Sequence, residues 1–168
     1  MPVPERVQPD EAVDELETLT QRLDFLRVTA AQKAEGLSDE QAFSTPVPAT
    51  TLTIGGLLKH LMVTERWWFS LDFARLDVEP PWDDDDPDPL GGFGLDPDDR
   101  IDSIVADYLA ECRRSRAAID GHALDEMARG DDMHFNLRYA LTHMIEETAR
   151  HCGHLDLLRE SIDGVRGE

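Results

Sequence analysis

Apolar residues recur along this chain at three- and four-residue steps, and no segment alternates apolar and polar positions over a strand's length. Between residues 10 and 35, Val13, Leu16, Leu19, Leu23, Leu26 and Ala30 share one side of a predicted helix. Pro9 and Asp10 suit its start, and Gly36 suits its stop. Residues 38–50, with Pro46 and Pro48, read as a connector holding a short turn at 38–41. A second helix is expected from Thr51 or Thr53, either of which could cap it, to about Arg75. It carries Ile54, Leu57, Leu58, Leu61, Met62, Trp67, Trp68 and Phe69. Gly55 and Gly56 each cost about 1 kcal/mol relative to alanine in a helix, so another backbone or a ligand is expected to approach closely there.

A third helix is expected from about Pro97 to Ile119, with Ile101, Ile104, Val105, Tyr108, Leu109 and Cys112 as its apolar stripe. A fourth should start at Phe135 or Asn136 and run to about Ile162, stopped by Asp163-Gly164. The predicted fold is therefore all-α: a single four-helix bundle, one domain spanning residues 1–168. Between its second and third helices, residues 78–98 hold five prolines, Gly91-Gly92 and the run Asp83-Asp84-Asp85-Asp86. A loop of that length is usually functional or mobile. Its aspartates lack the spacing of a calcium loop and read as a solvated surface, with Trp82 and Phe93 tethering the loop to the helices.

Charge narrows the function. A net charge of −20 excludes nucleic acid and anionic lipid as partners, since both demand a basic surface. No stretch approaches the roughly 20 apolar residues that span a bilayer, so a cytoplasmic location is expected. Cys112 and Cys152 are expected to be free thiols in a reducing compartment.

The chemistry concentrates in the fourth helix. His143, Glu147, His151 and His154 lie at i, i+4, i+8 and i+11, on one face. A lone histidine on a helix is more often an ordinary core or rim residue than a ligand. Four such groups beside the apolar row Leu141, Met144, Thr148, Cys152 and Leu155 are another matter. A carboxylate at Glu147 near the core must be paired, protonated or bound to a cation. If the bundle sets His60 of the second helix against Glu147 and His151, two nitrogens and one oxygen converge. Three protein ligands with an open position is the catalytic pattern, suiting Zn²⁺ without excluding Ni²⁺, Fe²⁺ or Mn²⁺. Spacing alone leaves open whether His143 or Glu147 is the ligand, although only Glu147 is one turn from His151.

Three segments carry a resemblance: Thr53-Ile54-Gly55-Gly56-Leu57-Leu58-Lys59-His60-Leu61, then Glu65-Arg66-Trp67-Trp68-Phe69, and His143-x3-Glu147-x3-His151-x-Gly153-His154-x-Asp156-x2-Arg159-Glu160. Together they resemble the DinB/YfiT-like superfamily, and within it an actinobacterial branch. The resemblance implies a four-helix bundle, often dimeric, that holds a divalent metal through His60, Glu147 and His151. Many members have histidine where this chain has Glu147; the His, Glu, His set resembles that of mycothiol-dependent maleylpyruvate isomerase. His154 stands where other members often carry glutamine.

The family's thiol-dependent enzymes imply a metal-dependent S-transferase joining mycothiol, or a similar low-molecular-weight thiol, to a small electrophile; an isomerase or hydrolase is the lesser expectation. His154 or His143 would then move the displaced proton. Arg159 could grip a substrate or cosubstrate carboxylate, or simply pair with Asp156 or Glu160. Glu65 could be a surface residue or an acceptor behind a ligand histidine. Trp67 and Trp68 are expected in the core or a homodimer contact, and Cys152 in the core. The competing class is a non-catalytic dimeric bundle acting as a stress-response or interaction protein, its metal a staple or absent.

Overall fold

The computed structural model describes residues 3–82, 91–130 and 133–167. Among them the chain is helical with no strand, as the apolar periodicity predicts; the one sheet-like feature is an isolated antiparallel bridge between Met127 and Asn136. The helices are α1 (Glu15–Gln32), α2 (Asp39–Ala42), α3 (Ile54–Glu65), α4 (Ile101–Ala118) and α5 (Leu137–Asp163). A π-helical stretch (Arg66–Phe73) continues α3 without a break. α1 packs on α5 and α3 on α4, and α3 also lies against α5. No helix among the described residues is long and apolar enough to cross a membrane. Of the loop expected over residues 78–98, the aspartate run falls in 83–90, outside the described residues.

Helix ends show which local signals win. α1 starts at Glu15 and not at Asp10, because Asp14 Oδ1 accepts from the Glu17 N–H at 2.9 Å. Asp10 instead folds back, its N–H donating to Gln21 Oε1 at 2.6 Å. Thr53 caps α3 by accepting from the Gly56 N–H at 3.0 Å. The turn expected at 38–41 is α2, closed by a reciprocal Ser38–Gln41 capping box. α4 begins at Ile101, later than Pro97, and its cap comes from elsewhere in the chain: the Ile101 N–H donates to Asp39 Oδ1 at 2.8 Å. α5 runs from an Asn136 cap to Gly164, whose φ of 77° closes the helix in the left-handed region.

A polar layer divides the core. On one side lie Leu57, Leu58, Leu61, Ile104, Tyr108, Cys152 and Leu155, and on the other Leu23, Phe69, Phe73, Leu141 and Met144. Between them each long helix contributes a buried polar group: Arg27 from α1, Glu65 from α3, Glu111 and Ser115 from α4, Thr148 from α5. Arg27 and Glu65 form a bidentate pair, Nε to Oε1 at 2.7 Å and Nη2 to Oε2 at 2.6 Å, with side chains only 2% and 1% exposed. Glu111 Oε2 accepts from Arg66 and Arg114. Neither alternative expected for Glu65 holds, since it is buried and spent on Arg27 rather than on the surface or behind a histidine.

Candidate metal centre

His60, in the middle of α3, faces α5 at the turn that carries Glu147 and His151. His60 Nε2 lies 3.2 Å from Glu147 Oε1, and His151 Nε2 lies 3.0 Å from the same oxygen. One potential ligand atom from each of the three falls within 4.8 Å of the others. The helical register explains half of this, because Glu147 and His151 are one turn apart on α5. The packing of α3 against α5 supplies His60 from 87 residues away.

Hydrogen bonding behind His60 fixes which nitrogen points inward. His60 Nδ1 is 2.7 Å from the Gly91 carbonyl oxygen, which can only accept, so Nδ1 carries a proton. A neutral His60 then aims the Nε2 lone pair at the lone pairs of Glu147 Oε1. Two acceptors cannot face each other at 3.2 Å unless a proton or a cation lies between them. His151 Nδ1 lies 3.2 Å from His154 Nδ1, so one of those nitrogens donates to the other. Phe93 closes one side, its ring stacked on His60 at 4.0 Å and edge-on to His151 at 5.8 Å. Phe93 therefore does tether the loop, but onto a site residue.

Two glycines let that loop reach the helix. A Cβ on Gly56 would sit 2.6 Å from the Phe93 carbonyl oxygen, and one on Gly92 3.1 Å from Val63. Gly92 also has φ of +83°, where side chains are strained. The close approach expected at Gly56 is thus a backbone, the one that presents Gly91 to His60. Gly56→Ala should push Phe93 and Gly91 away and weaken metal binding about 10–100-fold, as loss of a ligand's orienting partner does. Competition against a fluorescent chelator reads this, and wild-type affinity in the variant would refute the loop's role.

Electrostatics hold Glu147 and His151 in the charge states that metal ligands need. Burial alone would raise the Glu147 carboxyl, but the two imidazoles outweigh it and hold the group below its ordinary value. Burial pushes His151 below its ordinary 6.5; Glu147 opposes without cancelling it, and His60 and His154 add to it. Glu147 thus stays anionic while His151 stays neutral, the protonation states of ligands. The His151 shift has a consequence for stability. Below about 6.5 the unfolded chain binds that proton more readily than the folded one, so stability present above this pH is lost as pH falls through the folded value. Metal-free protein should therefore lose melting temperature from pH 7 to 5 more steeply than His151→Asn. Parallel pH profiles of the two melts would contradict this.

The other expected site residues are dispersed. His143 is a turn before Glu147 and lies against Trp68, ring centroids 4.1 Å apart. His154 reaches the cluster only through His151. Arg159 is not brought to it at all: Nη1 donates to the carbonyl oxygens of Lys33 and Glu35 at 3.0 and 2.8 Å, and Nη2 pairs with Asp163 at 2.8 Å. Its guanidinium ties down the chain just past α1, and its carboxylate partner is Asp163, one turn on, rather than Asp156 or Glu160. Asp156 pairs with Lys33 instead. Cys152 is buried in the core as expected, with burial pushing its thiol up to about 12, so it is inert as a nucleophile. Sequence reasoning missed the Gly91 carbonyl, because a backbone acceptor has no residue signature.

Over residues 18–164 the chain matches the mycothiol-S-transferase family, and it belongs to that family, which is of the DinB/YfiT-like kind its motifs resemble. No curated protein matches the chain.

Proposed function

We propose that this chain is a divalent-metal-dependent mycothiol S-transferase that conjugates small electrophiles, with His60, Glu147 and His151 as its metal ligands. The observation that carries this is the convergence of His60, Glu147 and His151, with His60 Nδ1 already spent on Gly91 so that its Nε2 faces Glu147 Oε1 across a position a cation can fill. Two imidazole nitrogens and one carboxylate oxygen fit Zn²⁺ best, while Ni²⁺, Fe²⁺ and Mn²⁺ take the same donors. When bound, such an ion lowers the pKa of a thiol from about 8.5, so that thiolate is available at neutral pH.

The chain's own residues do the rest. Gly91 and Phe93 fix the His60 ring, and the Phe93 face keeps water from that side. Arg150 Nη1, 3.2 Å from Glu147 Oε2, holds the carboxylate's second oxygen and turns Oε1 inward. With a metal held on Nε2 of His151, Nδ1 would carry the ring's proton and donate to His154 Nδ1, which sets the ring. His154 is half-buried and accepts that hydrogen bond, so it steadies the His151 ring and reaches the cluster through His151 alone. His143, held against Trp68, has no comparable link to the cluster and is assigned no proton transfer. The same reading places the enzyme in the cytoplasm as one domain over residues 1–168, with a homodimer as its assembly.

Purified protein loaded with Zn²⁺ should conjugate mycothiol to monochlorobimane faster than the uncatalysed reaction. No acceleration across several metals and electrophiles would sink the proposal.

A further inference from the structure

An aromatic row lies beside the metal centre on α5. α3 and α5 run antiparallel along it: His60 meets Glu147 and His151, while Trp68, eight residues on, meets His143 and Tyr139. On α5 the residues Tyr139, His143, Glu147 and His151 follow at four-residue steps, one stripe. His143 is thus about 6 Å and Tyr139 about 12 Å along the axis from Glu147. The π-helical turn after Glu65 carries Trp68 against this row.

Beyond His143 lies an open hollow of about 670 Å³ lined by Trp68, Met127, His134, Phe135, Asn136 and Tyr139. That is the size of a small-molecule site. Trp68 lies 4.9 Å from Phe135 and 6.0 Å from Tyr139 between ring centroids. Tyr139 and Met127 are 56% and 52% exposed, so these apolar faces meet solvent. Among the described residues the lining has no carboxylate, lysine or arginine, in a chain with 36 acidic and 16 basic residues. Asn136 Oδ1 is committed to the Tyr139 N–H at the start of α5. An uncharged, flat, apolar occupant matches these walls better than a polyhydroxylated one.

We propose that this hollow holds the aromatic body of the electrophilic cosubstrate, stacked on Trp68 and Tyr139, with its reactive carbon directed past His143 toward His60, Glu147 and His151. This rests on the transferase reading, and it makes Trp68 a substrate contact, where the sequence suggested core or dimer packing. It assigns the enzyme planar aromatic electrophiles over small aliphatic ones.

The test compares monochlorobimane, a flat bicyclic electrophile, with iodoacetamide, each with the same thiol. Tyr139→Ala should reduce the ratio of kcat/KM for the bimane to that for iodoacetamide about 10-fold, through the bimane KM, while Tyr139→Phe restores it. Unreactive bimane, lacking the chloride, should quench tryptophan fluorescence in wild type and much less in Tyr139→Ala, with or without metal. Equal losses on both electrophiles would overturn the proposal. So would a rise in the thiol KM alone, which would give the hollow to the thiol, or a shift in sedimentation, which would give it to a second copy of the chain. A wild type inactive with both electrophiles defeats the transferase reading, whereas bimane quenching still decides whether the hollow binds an aromatic body.

Discussion

Replacing His151 with alanine is expected to remove the metal and the transferase activity together while leaving the helices folded. His151 is 7% exposed and its Nε2 is one of three donor atoms that meet at Glu147 Oε1. Its loss leaves one nitrogen and one carboxylate, too few donors to hold a divalent ion against water. Loss of a mere orienting partner costs 10–100-fold in affinity or activity, so loss of a ligand should exceed about 100-fold in both. The fold should survive, because both apolar clusters and the Arg27–Glu65 layer close without the ion. Mass spectrometric metal content, beside a thermal melt, checks this. Near-stoichiometric metal in the variant would remove His151 from the ligand set. A variant that no longer folds would favour the structural staple of the competing, non-catalytic reading.

The largest expected effect on stability lies elsewhere, at Arg27. Arg27→Met leaves the Glu65 carboxylate buried without its bidentate partner, and breaking such a pair from one side costs about 3–5 kcal/mol. In a chain of this size each kcal/mol lowers Tm by about 2–4 °C, so a drop of roughly 6–20 °C is expected. The double variant Arg27→Met with Glu65→Leu should regain most of it, since an apolar pair of similar volume is often as stable as a buried ion pair. A single variant melting within a few degrees of wild type would show that water or rearrangement rescues Glu65.

That pair also shows what the sequence made legible. α5 could be read almost to the residue because its signals are local: the Asn136 cap, the apolar row and Gly164. Glu147 and His151 share the same advantage, being one turn apart. His60 needed the helices to pack first, and so did the Ile101 cap from Asp39 and the Arg27–Glu65 pair, 38 residues apart. A signal for the last was present: Arg27 lies in the row from Leu23 to Ala30 and Glu65 in the row from Leu61 to Phe69, each a charge on a core stripe. Two opposite charges on two buried stripes imply each other. The π-helical turn left no such trace, because the Trp67-Trp68-Phe69 run is apolar on any helical period. Arg159 was misread because its partners are carbonyls just past α1, which no side-chain pattern announces.

The central claim is that His60, Glu147 and His151 hold a catalytic metal. The most direct test strips the protein with a chelator, confirms its fold, and follows mycothiol conjugation to monochlorobimane as Zn²⁺ is returned. The account predicts no conjugation above the uncatalysed rate in stripped protein and full recovery near one equivalent of metal. Stripped protein as active as the loaded form, or metal bound at one equivalent without any activity, would contradict it.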